Sequence, residues 1–316
     1  FFYHLPLLRS AEGISMSTSF FEKQTSSPYC YGVIGLGSTG RSVVRFLAGK
    51  GFSVIAMDTR NEPDLYNNLQ TEHPNISFVV GALDYDLLKC CEEVVVSPGV
   101  PLEHPTLRRL KKNGTKLIGD IELFSRYVDA PFIGITGTNG KTTVTTMVHS
   151  MLLNSGVHCF AGGNLGIPAL DLLGKHPKPD LYILEVSSFQ LLLVSAFNAE
   201  LSCILNIAPD HLDRHHTFEE YQAAKLSILE FAKTALVNLD DHCMAKFVTS
   251  GKKVGFFDSL PTHESYGIRI ENGRKILCDQ SNDFLAVDEL QISGRHNELN
   301  ALAALAICSE YLGLVP

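Results

Sequence analysis

Residues 133–143 read Ile-Gly-Ile-Thr-Gly-Thr-Asn-Gly-Lys-Thr-Thr, a β-branched run that enters a glycine-rich turn and ends in Gly-Lys-Thr. This order predicts a buried strand, a tight loop and a helix that begins at Lys141. The backbone N–H groups of such a loop can cradle phosphate oxygens, with the Lys141 ammonium on the β/γ charge and the Thr142 hydroxyl on Mg²⁺. Ile135 stands where the common phosphate-binding loop has its first glycine, so the spacing departs from that pattern while the strand, loop, lysine and helix remain.

A second glycine-rich turn lies upstream. Residues 35–40, Gly-Leu-Gly-Ser-Thr-Gly, follow the run YGVI and open a predicted helix, and Asp58 ends the next predicted strand. Glycines here permit a tight turn and let a pyrophosphate approach the helix N-terminus, while the Asp58 carboxylate can accept from a ribose hydroxyl. The segment therefore predicts a pyrophosphate site without specifying the nucleotide. A purely structural turn between strand and helix is the alternative.

Short β-branched runs alternate with helical periodicity from Tyr31 onward, which is typical of parallel α/β layers. We predict an α/β protein with a Rossmann-like N-terminal domain over residues 29–119. A central domain of the phosphate-binding-loop type, with a parallel sheet, is predicted over residues 120–316. An Asn-Gly pair predicts a β-hairpin within residues 268–278. Residues 1–28 are interpreted as a poorly ordered extension.

Polar side chains follow two strands of the predicted central sheet. Glu185 lies in the run LYILEV, and His211 lies in the polar stretch after the run SCILNI. In an open parallel sheet, ligands bind beyond the carboxyl ends of the strands, where a carboxylate beside a phosphate-binding loop suits Mg²⁺. Together these residues predict a metal and phosphate site, whereas either one alone is typical of a solvated loop.

Two predicted helices carry weaker signals. Periodicity alone makes Lys225 an exposed lysine of an amphipathic helix. Asn297 and Asn300 are three residues apart at the start of the last predicted helix, so they share a face and could both hydrogen-bond a nucleobase. Helix capping is the alternative for this pair.

Composition excludes several classes of protein. The chain has 316 residues, of which 45% are apolar and 19% charged, and its formal net charge is −8. This balance predicts a globular protein that binds neither nucleic acid nor a membrane. The eight cysteines are scattered without a C-x-x-C pair, which predicts reduced thiols and a cytoplasmic location.

The motifs, taken in order along residues 31–312, resemble those of the Mur ligase family. The segments that carry the resemblance are GLGSTG, DTR, SPGVP, GDIELF, GITGTNGKTT, GGNLG, LEVSSFQL, DHLDRH, YQAAKL and GRHNELNALAAL. TGTNGKTT marks the whole family, whereas GDIELF, SSFQL and DHLDRH point more narrowly to its D-glutamate-adding members. The resemblance implies an ATP-dependent amide ligase of peptidoglycan precursor synthesis, and hence a role in cell shape and cell division. Its implied partners are UDP-N-acetylmuramoyl-L-alanine, ATP and D-glutamate, and it is implied to act as a monomer.

The resemblance also implies a role for each matching residue. The UDP-linked substrate is assigned to Ser38, Thr39, Asp58, Thr59, Arg60, Ser97, Gly99, Asn164 and Ser187. ATP is assigned to Gly137, Thr138, Asn139, Gly140, Lys141, Thr142, Thr143, Asn297 and Asn300. Two Mg²⁺ sites are assigned to Thr142, Glu185, His211 and a carbamylated Lys225. The residues implied to act in catalysis are Lys141, His211 and Lys225.

The family's members carry a third, C-terminal domain that binds the incoming amino acid, and we expect this chain to lack it. Three alternatives therefore stay open: a muramyl-peptide ligase with another amino acid, a non-catalytic nucleotide-binding fragment, and an NAD-dependent oxidoreductase. The oxidoreductase rests on the segment 35–40 and Asp58 alone, and the loop 133–143 counts against it because a dehydrogenase has no use for a second phosphate-binding loop.

Overall fold

The computed structural model of the protein describes residues 29–195 and 197–313. The predicted extension over residues 1–28 lies outside them. Over this range the first sheet has the order β3-β2-β1-β4-β5 with every pair parallel. Its strands are β1 (Tyr31–Ile34), β2 (Val54–Asp58), β3 (Ser77–Val80), β4 (Glu93–Val96) and β5 (Lys116–Ile118). Strands β1 and β2 are buried along their whole length, as expected for β-branched strands covered on both faces.

The second sheet has the order β14-β13-β12-β11-β10-β9-β6-β8-β7 among the described residues. Its strands are β6 (Phe132–Thr136), β7 (Cys159–Gly163), β8 (Leu181–Glu185), β9 (Leu201–Ile204), β10 (Thr234–Asn238), β11 (Lys252–Phe256), β12 (Ser265–Glu271), β13 (Arg274–Cys278) and β14 (Asp283–Ala286). The sheet is parallel from β7 to β12, as predicted, and then continues in antiparallel strands. The antiparallel edge begins with the predicted hairpin, whose turn residues Asn272 and Gly273 both have positive φ.

Helices connect the strands and cover the sheets. They are α1 (Ser38–Gly49), α2 (Tyr66–Glu72), α3 (Tyr85–Leu88), α4 (Pro105–Lys112), α5 (Asp120–Tyr127), α6 (Lys141–Asn154), α7 (Ala169–Leu172), α8 (Ser188–Leu191), α9 (Leu212–His215), α10 (Phe218–Leu226), α11 (His242–Lys246) and α12 (Arg295–Leu312). Helix α6 begins at Lys141, as the sequence predicts. The α/β class with parallel strands is confirmed. Within the described residues, no helix combines the length and the apolar character needed to cross a bilayer.

The two sheets are joined by a shared core and by polar contacts. One apolar cluster contains Val44 and Leu47 of α1 together with Phe132 of β6 and Leu170 of α7. Asp171 of α7 accepts a hydrogen bond of 2.8 Å from the Ser42 hydroxyl and one of 2.7 Å from the Arg45 guanidinium. These contacts join α1, which packs on the first sheet, to β6 and α7 of the second.

The turn at residues 35–40 explains how α1 approaches β1. Gly35 has a φ of 87°, in the left-handed region that favours glycine. Gly40 packs against the carbonyl oxygen of Gly35 so closely that a Cβ atom would overlap it. The third glycine of the motif is therefore required by helix–strand packing.

We expect Gly40→Ala to destabilise the protein by about 1–3 kcal/mol, since the added methyl group overpacks the turn. This figure is the net loss, because the overpacking outweighs the roughly 1 kcal/mol by which alanine is favoured over glycine inside a helix. Gly37→Ala is the matched control, because Gly37 has a φ of −68° and open space around its Cβ position. Urea unfolding followed by circular dichroism measures both variants. Equal stability of the two would contradict the packing argument.

Candidate functional site

The loop after β6 is braced by the segment after β9. The Asn139 N–H donates to Asn206 Oδ1 at 2.8 Å, and the Thr138 N–H donates to the Asn206 carbonyl at 2.9 Å. Gly140, at a φ of 84°, leads into α6. Lys141 Nζ folds back over the loop and donates to the carbonyls of Gly137 and Thr138 at 2.9 and 3.0 Å. The predicted strand–loop–helix unit is thus present, with its lysine at the loop.

Glu185 ends β8, the neighbour of β6, and is only 3% exposed. Its Oε2 accepts a hydrogen bond of 2.8 Å from the Thr142 hydroxyl at the start of α6. Its Oε1 accepts one of 3.0 Å from Asn164 Nδ2, beyond the end of β7. The carboxylate therefore stands between the loop and Asn164, with a hydrogen bond on each of its oxygens.

Lys225 is 2% exposed, so the surface position that periodicity predicts is wrong. The short helix α10 turns this residue toward the loop, where Lys225 Nζ donates to the Gly137 carbonyl at 2.8 Å and to Thr136 Oγ1 at 3.3 Å. The Gly137 carbonyl thus accepts from Lys141 and Lys225 together. Burial, and after it the charge of Lys141, lowers the pKa of Lys225 to about 7.

The part of the chain that the structure describes has two clefts that bear on function, called cleft one and cleft two below. Cleft two lies between the loop and the start of α12 and has a volume of about 550 Å³. It is lined by Asn139, Gly140, Thr143, Leu205, Asn206, Asn238, Phe256, His296, Asn297, Leu299 and Asn300. Asn300 Nδ2 donates to Asn297 Oδ1 at 3.3 Å, so the two asparagines share a face as predicted. The cleft is thus lined by amide side chains, by the Phe256 ring and by the His296 imidazole.

Cleft one lies beyond the carboxyl ends of β1, β2 and β4 and encloses about 500 Å³. Strand order reverses between β1 and β4, which is where open parallel sheets bind ligands. The cleft is lined by Ile34, Gly35, Gly37, Ser38, Thr39, Asp58, Thr59, Arg60, Ser97, Pro98, Gly99, Val100, Pro101, His104, Asn164 and Gln190. Every residue predicted for the UDP-linked substrate is among them except Ser187.

Asp58 is 3% exposed, and its carboxylate is occupied by the protein itself. It accepts from the N–H of Leu36 at 2.7 Å and from the N–H of Arg60 at 2.8 Å. The guanidinium of Arg60 also donates to both of its oxygens, at 3.0 and 2.8 Å. Although burial opposes ionisation, the hydrogen bonds from Arg60 and Leu36 hold the pKa of Asp58 below its usual range. Asp58 therefore stays charged and holds Arg60 at the mouth of the cleft.

His211 lies in a strained segment at the edge of the site. Its φ is 53°, a left-handed conformation that costs a non-glycine residue free energy. Its side chain is about half exposed, and its Nε2 lies 3.5 Å from Asp210 Oδ2. Among the described residues, no group of three or more His, Cys, Asp or Glu side chains is arranged to hold a metal ion.

Two residues, one at cleft one and one at the phosphate-binding loop, were not predicted. Gln190 lines cleft one, and its Oε1 accepts from the Ser187 N–H at 3.0 Å in a capping box. A serine followed three residues later by glutamine is a recognisable signal for such a box. Tyr221 bonds Thr138 Oγ1 through its hydroxyl at 2.9 Å. No local sequence pattern predicts that contact, because it joins residues 83 positions apart.

Two known protein families match parts of the chain that contribute to the two clefts. The family described as "Mur ligase middle domain" matches residues 135–308. The family described as "Mur ligase MurD-like, N-terminal domain" matches residues 30–119. The first match covers the loop, Glu185, Asn297 and Asn300, and the second covers the glycine-rich turn of cleft one.

Individual relatives support the same relationship. The chain is 44% identical over 283 residues to "UDP-N-acetylmuramoylalanine--D-glutamate ligase" of Nitrosococcus oceani, covering 89% of this chain and 62% of that protein. It spans less than two thirds of the length of that relative.

Solved structures show the same fold. A pseudomurein peptide ligase type C from Methanothermus fervidus is 26% identical with a TM-score of 0.50, over 90% of this chain and 67% of that one. The UDP-N-acetylmuramate:L-alanyl-gamma-D-glutamyl-meso-diaminopimelate ligase from Neisseria meningitides has a TM-score of 0.61 at 16% identity, over 91% and 94% of the two chains. With both family matches falling on the elements that build the clefts, the chain belongs to the Mur ligase family.

Proposed function

We propose that the protein is an ATP-dependent ligase that adds D-glutamate to UDP-N-acetylmuramoyl-L-alanine through an acyl phosphate, in peptidoglycan precursor synthesis. The observation that carries the proposal is the position of Glu185, which hydrogen-bonds Thr142 at the loop and Asn164 at cleft one. A nucleotide in cleft two and a sugar nucleotide in cleft one would then present the γ-phosphate and the carboxylate to one another near this residue. The name of the Nitrosococcus oceani relative supports the choice of substrates.

ATP would occupy cleft two with its phosphates on the loop. The N–H groups of residues 137–143 and the N-terminus of α6 favour a polyphosphate, and Lys141 adds a positive charge beside it. Asn297 and Asn300 offer an amide face to the adenine, whose edge carries both donors and acceptors.

UDP-N-acetylmuramoyl-L-alanine would occupy cleft one. Its pyrophosphate suits the turn at residues 35–40, where α1 begins, with Ser38, Thr39, Ser97 and Gly99 around it. Thr59 and Arg60 stand where the uridine would enter. Asn164 also lines cleft one, and the muramoyl part of the substrate would run from Asn164 toward Ser187.

The residues present fit Mg²⁺. Magnesium prefers oxygen ligands and is commonly held by one or two carboxylates together with substrate phosphates. Thr142, Glu185 and His211 would serve as Mg²⁺ ligands, and a carbamylated Lys225 would hold a second ion. Bound Mg²⁺ supplies positive charge that stabilises a phosphoryl group during its transfer.

The two lysines that share one carbonyl support carbamylation. Two ammonium groups at the Gly137 oxygen repel one another in a buried place, so Lys225 has reason to be neutral. A neutral amine attacks the carbon of CO₂, and loss of its proton leaves a carbamate that carries a negative charge beside Lys141. The carbamate therefore replaces a repulsion by an attraction.

Ligation would proceed in two steps, with ATP and D-glutamate as the reactants besides the UDP-linked substrate. A carboxylate oxygen of the alanyl group attacks the γ-phosphorus, ADP leaves, and an acyl phosphate forms. The amine of D-glutamate attacks the acyl carbon, loses a proton, and expels phosphate that carries the former carboxylate oxygen. Within this sequence, Lys141 neutralises charge on the transferring phosphoryl group and Asn164 orients Glu185 beside it.

We also propose that the protein acts in the cytoplasm. All eight cysteines lie among the described residues and each is free, which fits a reducing compartment. That it acts as a monomer stays a prediction.

Replacing Lys141 tests the assignment of the loop. We expect Lys141→Ala, in the protein as encoded by its gene, to lower ATP-dependent product formation by about 10²–10³, because it removes charge stabilisation from the transition state. Lys89→Ala is the control, since Lys89 forms an exposed ion pair with Asp86 on the surface. Product is measured by chromatography and the fold by circular dichroism. Turnover within a few-fold of the unaltered protein would remove the loop from the mechanism.

Replacing Lys225 tests the carbamate. We expect Lys225→Ala to lose activity and acetate or formate to restore part of it, because a small carboxylate can enter the space left by the side chain. Incubation with ¹³C-bicarbonate is expected to give a carbamate signal by NMR that the variant lacks. Lys233→Ala, at a side chain 74% exposed, serves as the control. Full activity of Lys225→Ala would mean that the residue is structural only.

The nucleotide preference of cleft one is a separate test. We expect UDP to bind there, measured by calorimetry, and Arg60→Ala to weaken it about tenfold or more through loss of charge-assisted hydrogen bonds. Arg274→Ala, on the hairpin at the far edge of the second sheet, is the matched control. If NADH binds as well as UDP, the oxidoreductase alternative is favoured and the assignment of cleft one is wrong.

A further inference from the structure

The segment after β9 contacts cleft one as well as the phosphate-binding loop. Arg214 Nη2 donates to the Pro98 carbonyl at 3.1 Å and to the Val100 carbonyl at 3.2 Å. Pro98 and Val100 belong to the loop of residues 97–101, which lines cleft one. One half-buried guanidinium thus reaches from the second sheet to the first.

The same guanidinium packs on an aromatic ring that touches both neighbouring histidines. Arg214 Cζ lies 4.1 Å from the centre of the Phe189 ring. That ring is stacked on His215 at 4.9 Å between centroids and lies 5.2 Å from the ring of His211. His215 is fixed in turn, since its Nε2 lies 2.9 Å from the buried Ser188 hydroxyl. Arg214 therefore contacts the surroundings of His211 on one side and the cleft-one loop on the other.

The backbone of this segment needs such support. His211 and His216, on either side of α9, have φ values of 53° and 62°. Non-glycine residues keep such conformations only where surrounding contacts enforce them. His216 also faces the cleft-one side, because its Nε2 lies 3.5 Å from Glu103 Oε1. Contacts with the first sheet are thus among those that can enforce the strained conformation.

We propose that Arg214 is a positioning residue that ties the loop of residues 97–101 to the segment of residues 210–216, so that cleft one fixes the place of His211. The proposal rests on the proposed function in two respects, namely that cleft one binds the UDP-linked substrate and that His211 serves the phosphate site. Arg214 itself touches neither the reacting carboxylate nor the phosphate. It acts through the two carbonyls and the Phe189 ring.

Hydrogen–deuterium exchange without ligand tests the tie itself. In Arg214→Ala, we expect faster exchange of the amides in both segments, 97–101 and 210–216, because local opening is easier once their common contact is lost. Arg45→Gln is the matched control, since it removes another arginine contact between the two sheets, the one to Asp171, without touching either segment. In Arg45→Gln, the amides of residues 97–101 and 210–216 should exchange as in the unaltered protein. Unchanged exchange in Arg214→Ala would overturn the proposal.

Kinetics test the positioning role. In Arg214→Ala, we expect the KM for UDP-N-acetylmuramoyl-L-alanine and the half-saturating Mg²⁺ concentration each to rise about tenfold, because the variant loses the charge-assisted hydrogen bonds to the two carbonyls. Rates at saturation should fall far less, and Arg214→Lys should recover only part of the loss because an ammonium lacks the planar stacking face. A lower saturating rate with both constants unchanged would show a structural role and overturn the proposal. Absence of turnover in the unaltered protein would instead overturn the proposed function, while the exchange data would still decide whether Arg214 joins the segments.

Discussion

The hydrogen bonding of the buried Glu185 carboxylate is the interaction on which the rest of the site depends. A charge that is removed from water has to be paired or hydrogen-bonded, and Glu185 meets this need with Thr142 on one oxygen and Asn164 on the other. Parallel pairing of β6 with β8 and of β8 with β7 brings these three residues to one edge of the sheet. The topology of the second sheet thus places this single carboxylate between Thr142, next to the phosphate-binding loop, and Asn164, which lines cleft one.

Positive charge is concentrated at the phosphate-binding loop. Lys141 and Lys225 both donate to the Gly137 carbonyl, and burial lowers the pKa of each. Asp210 opposes part of this effect for both lysines, which makes it a neighbour of the pair in electrostatic terms. The polyphosphate and the Lys225 carbamate that we propose would each offset the repulsion that remains.

Local patterns predicted the parts of the molecule whose conformation is decided locally. The loop 133–143, the turn 35–40 and the hairpin at Asn272 each contain glycines at positions with a particular backbone demand, and each forms as predicted. Strand β7 was not predictable from propensity, since it consists of Cys, Phe, Ala and two glycines and lacks β-branched residues. The burial of Lys225 also escapes periodicity, because it depends on the loop 88 residues away. The resemblance to known motifs supplied that residue where local physics did not.

Transfer of isotope from carboxylate to phosphate tests the central claim most directly. The substrate for this measurement is UDP-N-acetylmuramoyl-L-alanine labelled with ¹⁸O in its alanyl carboxylate, incubated with ATP, Mg²⁺, D-glutamate and the protein as encoded by its gene. If the two clefts deliver this carboxylate to the γ-phosphate beside Glu185, one ¹⁸O atom appears in the released phosphate for each amide bond formed. Phosphate released without the label, or amide formed while the label stays in the product, would contradict the account.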